Sequence, residues 1–323
     1  MMSDEYPKFS LEDSRFDQST YYGRLRRCFN VVDPSTLIVS SEKLSNSLEL
    51  LEKFKTGNLP EGVTDRELWE ARKLKEAIIH PDTGEKILMP LRMSGFVPFG
   101  TISVIGMLIP GASTAQVIFW QWLNQSHNAC VNYANRNATK PTPTERFVMS
   151  YIGAVTSAVG IAVGLSLAIK KLPVAAATKL YLSRFVAYPA TSAANICNIY
   201  LMRQNELREG VDVTDESGNV IGTSLVAAKK AVFETALSRI VLSAPVLLTP
   251  PIIMKYLEKT KFLKGNPVRT LMVNAVVITA AFGIALPCTI ALFPQTSKMD
   301  KSKVELELQE KVKGEAVFFN KGL

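Results

Sequence analysis

The sequence predicts an all-α protein that crosses a membrane several times and carries a mainly helical soluble segment at its N-terminus. Three long stretches contain no Lys, Arg, Asp or Glu, namely residues 93–135, 147–169 and 270–297. Residues 1–92, in contrast, carry 14 basic and 16 acidic side chains. Since about 20 apolar residues in a helix cross the hydrocarbon core of a bilayer, the uncharged stretches predict membrane spans and the charged stretch predicts a soluble segment.

The apolar stretches fit about five helical spans, and proline interrupts several of them. We predict a soluble segment at 1–95, a membrane domain at 96–293 with a soluble loop at 203–239, and a C-terminal tail at 294–323. Proline within a span is tolerated where neighbouring helices or trapped water satisfy the freed backbone groups. The predicted spans are 97–122, 147–169, 180–202, 240–257 and 271–293.

The N-terminal segment contains two helix signals. Leu44, Leu48 and Leu51 recur at helical spacing, which predicts a helix over residues 40–55. Thr64 and Glu67 have the spacing of a capping box, in which a hydroxyl and a carboxylate satisfy free backbone N–H groups at a helix start. A second helix is therefore predicted after Thr64.

Shorter elements are predicted in the loop and in the tail. Residues 210–222 alternate apolar and polar side chains around a turn, which predicts a β-hairpin. Residues 224–239 have the pattern of an amphipathic helix, and the tail is predicted to be helical around 304–312.

The sequence gives no positive sign of an enzyme, a cofactor or a metal site. The four cysteines lie far apart and there are only two histidines, so neither a disulfide framework nor a zinc site is indicated. No phosphate-binding loop or hydrolase motif occurs in the required context. The formal charge of +8 comes from residues near the span ends. This placement predicts contact with the lipid bilayer rather than with nucleic acid.

A run of amides follows the first predicted span. Asn124, Asn128, Asn132 and Asn135 recur at steps of four, four and three residues, so they share one helix face. Amides offer both donors and acceptors, and a small zwitterion needs both kinds. We predict substrate-binding roles for Asn128, Asn132 and Asn135, and helix–helix packing is the alternative interpretation.

A second polar stripe lies in the third predicted span. An Arg at the centre of a membrane helix costs roughly 2.5–3.5 kcal/mol on the insertion scale, so it favours a protein interior or a water-filled path. Its guanidinium is a natural carboxylate partner, although a position near the interface would allow it to reach water instead. The predicted binding residues of this stripe are Arg184, Tyr188, Asn195 and Asn198, with Thr191 between them.

The order and spacing of several short motifs resemble the sideroflexin family over nearly the whole chain. The clearest is the run His80, Pro81, Asp82, Thr83, Gly84 and Glu85. Taken alone this run is explained by a tight turn after a helix. The other motifs are RFDQSTYYGR at 15–24, NYANR at 132–136, LMRQ at 201–204, ALFPQ at 291–295 and ELELQ at 305–309.

The resemblance implies a multi-pass protein of the mitochondrial inner membrane. It implies transport of serine and similar small neutral amino acids, which supplies one-carbon metabolism. Alternatives within the family are a non-transporting assembly factor or scaffold for a respiratory membrane complex, and an iron-related carrier.

Five spans would place the two chain ends on opposite sides of the membrane. On that count Lys170, Lys171 and Lys255 lie on the side of the N-terminus. The positive-inside rule then favours an N-terminus in the matrix.

Overall fold

The computed structural model of the chain describes residues 6–11, 13–81, 83–135, 143–215, 219–292, 296–312 and 314–320, and these are mostly helical. The N-terminal segment contains three helices. They are α1 (Tyr21–Val31), α2 (Ser41–Lys55) and α3 (Asp65–Ile78). The predicted helix over 40–55 and the predicted capping box of Thr64 and Glu67 are both confirmed.

The N-terminal helices are held together by an apolar core and by one ion pair. Phe9 packs edge-on against Phe54 and Trp69, with ring centroids 4.8 and 5.0 Å away. Lys73 Nζ donates to Asp33 Oδ2 at 2.5 Å. Burial alone would raise the pKa of Asp33, but the hydrogen bonds from Lys73 and Ser35 lower it below its ordinary value. The segment is therefore folded and not merely a charged extension.

The apolar part of the chain forms a bundle of helices. Its elements are α4 (Phe96–Met107), α5 (Thr114–Ala134), α6 (Thr144–Lys171), α7 (Ala176–Ser183), α8 (Ala187–Met202), α10 (Leu225–Leu257) and α11 (Pro267–Leu292). The single turn α9 (Glu206–Glu209) lies between α8 and a small β-sheet.

The first predicted span is a helical hairpin and not one helix. The chain turns at Pro110 and Gly111, where Gly111 has a φ of 68° that few other residues adopt. Helix α5 then returns along α4, so that Asn124 Nδ2 donates to Ser103 Oγ at 3.0 Å. The chain thus reverses at Pro110–Gly111, and the prediction of one continuous span over 97–122 is wrong.

Two further boundaries also differ from the prediction. The stretch 180–202 is divided between α7 and α8, because residues 184–186 leave the α-helix. The predicted amphipathic helix and the fourth predicted span, in contrast, join into the single 33-residue helix α10. This helix continues through Pro245, Pro250 and Pro251, because packing against neighbouring helices outweighs the local cost of proline.

Among the described residues, three helices are long and apolar enough to cross a membrane, and they are α6, α10 and α11. The five predicted spans are therefore not confirmed. Helix α4 has 12 residues and is about 18 Å long, which is short of the roughly 30 Å of hydrocarbon. Helix α5 is long enough but carries the amide run, and α7 and α8 are separated by the break. The short, polar and broken elements are thus the ones that depart from the prediction.

The bundle elements form a closed ring in which each one runs antiparallel to the next. Helix α4 contacts α5, and the contacts then continue through α6, α8, α10 and α11 back to α4. The direction follows from residue pairs along the helices, for example 203 with 235, 195 with 243 and 184 with 258 between α8 and α10. In the part of the chain that the structure describes, six elements alternate in direction when α7 and α8 are counted as one.

The chain also contains a four-stranded antiparallel sheet, formed by two strands between α9 and α10 and two strands after α11. The all-α prediction is therefore wrong for these parts of the chain. The strands of the sheet are β1 (Val211–Thr214), β2 (Val220–Ser224), β3 (Thr296–Asp300) and β4 (Ala316–Asn320), in the order β2-β1-β4-β3. The predicted hairpin is confirmed as β1 and β2, and its turn residues 216–218 lie outside the described residues. The predicted tail helix is confirmed as α12 (Leu306–Lys311).

The tail is attached to the start of α10. Glu305 Oε1 accepts hydrogen bonds from the backbone N–H groups of Leu225 at 2.8 Å and Val226 at 3.1 Å. Burial alone would raise the pKa of Glu305, but the hydrogen bond from the Ser224 side chain and the bonds from these N–H groups lower it below its ordinary value, as expected for a carboxylate at a helix N-terminus. The two strands of the tail pair with each other across 16 to 24 positions, and β4 also pairs with the distant β1. Neither pairing is signalled by neighbouring residues.

The N-terminal helices and the β-sheet lie at the same end of the bundle, which we call the domain end. Arg24 Nε donates to the backbone oxygen of Ala291 near the end of α11 at 2.9 Å. Lys230 Nζ, near the start of α10, donates to the backbone oxygen of Lys298 at 3.1 Å. The opposite end, which we call the turn end, consists of residues 108–113, 170–186 and 255–266. Lys170, Lys171 and Lys255 lie at the turn end and therefore away from the N-terminus.

We predict that the N- and C-termini of this chain lie on the same side of the membrane. Six alternating elements return the chain to the side from which it started. Epitope tags at the two termini should therefore show the same protease sensitivity in sealed membrane vesicles of uniform orientation. Cleavage of one tag with protection of the other would contradict the arrangement.

We also predict that Gly106 is required for the hairpin of α4 and α5. A Cβ atom at this position would lie 1.9 Å from Cδ2 of Trp120. Gly106→Ala should therefore lower the free energy of unfolding by about 1–3 kcal/mol and lower Tm in detergent. The matched control is Gly160→Ala in α6, where a Cβ meets nothing within 4 Å. Equal Tm values for the two variants would contradict the close packing.

Candidate functional site

A group of uncharged polar side chains lies in the interior of the ring, and we call it the polar seam; its members are buried except Asn128 and Asn195, which are partly buried. It lies near the middle of α5 and α8, and α4 and α10 contribute at its edges. Helix α5 places these residues on adjacent turns of one face, because they are separated by three or four positions. The seam consists of Ser103, Gln121, Asn124, Gln125, Asn128, Thr191, Ser192, Asn195 and Ser243.

One part of the seam is a chain of hydrogen bonds. Asn128 Nδ2 donates to Asn124 Oδ1 at 3.2 Å, and Asn124 Nδ2 donates to Ser103 Oγ at 3.0 Å. Ser103 Oγ in turn donates to the backbone oxygen of Gly100 at 2.9 Å. Across the ring, Asn195 Nδ2 donates to Ser243 Oγ at 3.2 Å. These bonds fix the orientation of the amides and join α4 to α5 and α8 to α10.

Another part of the seam has polar atoms that make no hydrogen bond. They are Gln121 Oε1, Gln125 Nε2, Thr191 Oγ1 and Ser192 Oγ. Gln121 is only 2% exposed and Gln125 only 4%. A buried polar group without a partner costs about 1–3 kcal/mol, so these atoms are a reserve of donors and acceptors for a solute that enters the ring.

A cavity of about 220 Å³ connects the seam to the turn end. Gln121 lines its inner part, while Ser166, Ser183, Lys170 and Lys179 contribute polar groups nearer the turn end. The remaining lining is largely apolar and comes from α4, α5, α6, α7 and the start of α8. A small polar molecule that enters this cavity from the turn end passes two lysines before it reaches the amide of Gln121.

A second and larger cavity of about 750 Å³ opens at the turn end between α4, α10 and α11. It contains the ion pair of Arg184 and Glu258, in which Arg184 Nη2 lies 3.0 Å from both carboxylate oxygens. Arg184 ends α7 and Glu258 ends α10. We call this cavity the vestibule.

The predicted binding residues occupy different places. Asn128 and Asn195 lie in the seam, and Arg184 lies in the vestibule. Tyr188 packs against the apolar core of the ring, and the backbone oxygen of Asn198 accepts a hydrogen bond from Ser150 Oγ at 3.0 Å.

The last two amides of the predicted asparagine stripe are exposed. Asn132 is exposed on α5, and Asn135 follows the end of that helix and donates to the backbone oxygens of Leu91 and Val131. The stripe is therefore buried at Asn124, partly buried at Asn128 and exposed beyond them.

The His80 motif forms a turn at the end of α3. The His80 N–H donates to the backbone oxygen of Glu85 at 2.9 Å, and Gly84 N–H donates back to His80 at 3.0 Å. The Thr83 N–H donates to His80 Nδ1 at 3.2 Å. Pro81 is exposed, and Asp82 lies outside the described residues. The contacts support the structural interpretation of this motif.

Sequence reasoning missed six residues of the site, namely Ser103, Gln121, Gln125, Ser192, Ser243 and Glu258. Gln121 and Gln125 flank the asparagine stripe on α5, and their position within an uncharged stretch was an available signal. Glu258 is the single acidic residue between positions 240 and 292, a stretch with five basic residues. That isolation was a signal too, but its partner Arg184 is 74 positions away. Across the described residues, no cluster of three or more potential metal ligands occurs.

Comparison with known proteins identifies the family. The family model of sideroflexins matches residues 10–323. Sideroflexin-5 of Homo sapiens is 52% identical over 318 residues, which cover 98% of this chain and 94% of the human protein. Sideroflexin-5 of Caenorhabditis elegans is also 52% identical, over 98% of this chain and 96% of its own. Sideroflexin-1 of Sus scrofa is 40% identical over 98% of both chains. No solved structure matches the chain. The resemblance read from the short motifs is thus confirmed, and the chain belongs to the sideroflexin family.

Proposed function

We propose that this chain transports serine and similar small neutral amino acids across the mitochondrial inner membrane and thereby supplies one-carbon metabolism. Membership of the sideroflexin family supports a transporter-type role in mitochondria. The observation that carries the proposal is the polar seam, whose unpartnered amide and hydroxyl groups are buried inside an apolar ring.

The chemistry of the seam matches a small polar solute without net charge. Its side chains are amides and hydroxyls, which act as both donors and acceptors. A buried charge in the seam would favour an ion of the opposite sign, since burying an unpaired charge is far more costly than burying a neutral polar group. A zwitterion with a hydroxyl side chain would instead satisfy several seam atoms at once.

Arg184 remains our proposed partner for the substrate carboxylate, but it is separated from the seam. Seven positions along the chain separate it from Thr191, or about 10 Å at the helical rise. Eleven positions, or about 16 Å, separate it from Asn195. We therefore propose two stations on one path. The vestibule holds the charged poles, and the amides Asn128 and Asn195 of the seam bind the amine and hydroxyl after the substrate moves inward.

The short and interrupted helices support the proposed position of the substrate path. Helices α4, α7 and α8 are short or interrupted, and interrupted helices bring backbone dipoles to a substrate near the middle of the membrane. Residues 184–186 are held by bonds to the third preceding residue, such as Phe185 N–H to Leu182 O at 3.0 Å. The vestibule station of the proposed path thus lies beside the least regular helical hydrogen bonds.

The six alternating elements favour a different orientation of the chain in the membrane from the one that the sequence predicts. The turn end carries Lys170, Lys171, Lys179, Lys255, Lys259, Lys261 and Lys264, with the single acid Glu258 between positions 240 and 292. By the positive-inside rule, we propose that the turn end faces the matrix. Both chain ends would then face the intermembrane space.

A second candidate function is that of an assembly factor without transport. It is favoured by the position of the N-terminal helices and the β-sheet at the domain end, where they present one folded surface to a partner. The uptake experiment separates the two candidates. Purified protein in liposomes should take up labelled serine faster than empty vesicles if it is a carrier. Uptake equal to that of empty vesicles would remove the transport proposal and leave the assembly role.

We predict that Thr191→Val separates transport from stability. Valine has nearly the shape of threonine but lacks the hydroxyl, so the variant loses a seam group that would bind substrate. We expect serine uptake to fall about tenfold, equivalent to about 1.4 kcal/mol. The Tm should stay the same or rise, because an unpartnered buried hydroxyl is removed.

The matched control is Thr279→Val on α11. Thr279 is exposed on the outside of the ring, and its hydroxyl donates to the backbone oxygen of Ala275 at 2.8 Å. Its uptake should equal that of the wild type. Normal uptake by Thr191→Val, or an equal loss in both variants, would contradict a role for the seam in transport.

A further inference from the structure

The ion pair of the vestibule has an unusual position for its acidic member. Glu258 follows the last turn of α10, where the helix dipole disfavours a negative charge. Lys255, Lys259 and Lys261 surround it in sequence, yet its partner is Arg184 from another helix. The carboxyl side chain is 34% exposed and so still faces the vestibule. Neither helix capping nor local charge pairing therefore explains why an acid occupies this position.

The basic member of the pair is only partly used. Arg184 donates to Glu258 from Nη2 alone, at 3.0 Å to each carboxylate oxygen. Its Nε is buried and has no hydrogen-bond partner. An Arg that binds one carboxylate fully does so through two parallel N–H groups. The guanidinium thus retains a donor for a second carboxylate.

The vestibule provides the space for such an exchange. Its volume is about 750 Å³, and Arg184 and Glu258 line it together with a third charged residue, Lys264, and with apolar residues such as Pro251 and Met254. The largely apolar walls strengthen the attraction between opposite charges. A ligand that separates Arg184 from Glu258 must therefore supply each side chain with a new opposite charge.

We propose that Arg184 and Glu258 together form a recognition site for the α-amino and α-carboxylate groups of an amino acid. The substrate carboxylate pairs with Arg184, and the substrate ammonium pairs with Glu258. The two poles of the zwitterion thus take the place of the partner that each side chain loses. This inference rests on the proposed transport of small amino acids, and it adds Glu258 as the second half of the site.

The site would select zwitterions over molecules that carry one charge. A ligand that lacks the ammonium leaves Glu258 without a partner when it binds Arg184. A ligand that lacks the carboxylate leaves Arg184 without a partner in the same way. Because an unpaired charge in an apolar cavity is unfavourable, both kinds of ligand should bind more weakly than serine.

The test compares three ligands on the full chain in detergent, with Kd taken from the ligand-dependent rise in Tm. The ligands are serine, glyceric acid, which lacks the ammonium, and ethanolamine, which lacks the carboxylate. The wild type should bind serine at least about tenfold more tightly than either. Glu258→Gln should lose the preference for serine over glyceric acid, and Arg184→Gln should lose the preference over ethanolamine. This crossed pattern does not arise from a general loss of structure.

Two further variants keep the test decisive. The double variant Arg184→Gln/Glu258→Gln removes both charges at once, so no unpaired charge remains to unfold it, and it should discriminate among the three ligands less than threefold. The matched control is Glu206→Gln at the domain end, where a glutamate of similar exposure, 37%, pairs with Arg203. Its three Kd values should equal those of the wild type.

The outcomes separate the inference from the proposed function. Binding of serine with the wild-type selectivity in all the vestibule variants would overturn the recognition site and leave the transport proposal intact. Absence of serine binding by the wild type would overturn the recognition site, and equal uptake by liposomes with and without protein would then remove the transport proposal as well.

Discussion

The cost of burying polar groups away from water determines how this bundle is built. Three helices, α6, α10 and α11, are apolar along most of their length. The elements that carry amides and hydroxyls turn them toward the interior of the ring, where Asn124 reaches Ser103 and Asn195 reaches Ser243. In lipid those groups would have no partner at all. The closed ring therefore gives these polar groups partners away from lipid, and it thereby creates a polar interior.

The same constraint explains why the irregular elements cluster around one path. A helix that ends within the apolar region leaves free carbonyl and N–H groups, and these are acceptable only next to other polar groups or water. The turn at Pro110–Gly111 and the break at residues 184–186 lie together, since the Gly111 N–H approaches Ser183 Oγ at 3.5 Å. The two cavities flank this contact. The cost of free backbone groups thus explains why the irregular backbone, the ion pair and the cavities lie together.

A structural feature can be predicted from the sequence when the residues that determine it are close together along the chain. The helix over 40–55, the capping box of Thr64 and the hairpin after Gly210 follow from neighbouring residues, and all three were predicted. The hairpin of α4 and α5 was hidden because its two helices form one uncharged stretch, and hydropathy alone does not show where a chain reverses. The sheet was hidden because β1 pairs with β4 across about a hundred positions. The asparagine stripe of the site was found by its spacing. The partner of Arg184 was not, because spacing carries no information about another helix.

Under the proposed transport of a zwitterion, the division between a charged vestibule and an uncharged seam has a chemical reason. At the turn end the two poles still need opposite charges, since the vestibule is only partly open to water. Deeper in the ring, a fixed charge would trap one pole, and a path must bind its substrate weakly enough to release it. Amides and hydroxyls meet that requirement, because they can pair with either pole without a strong preference. Pro251 lines the vestibule, and with Pro250 it removes two backbone donors from α10 within two turns of Glu258. Two helical hydrogen bonds are therefore missing between the final turns of α10, which carry Glu258, and the turns before them.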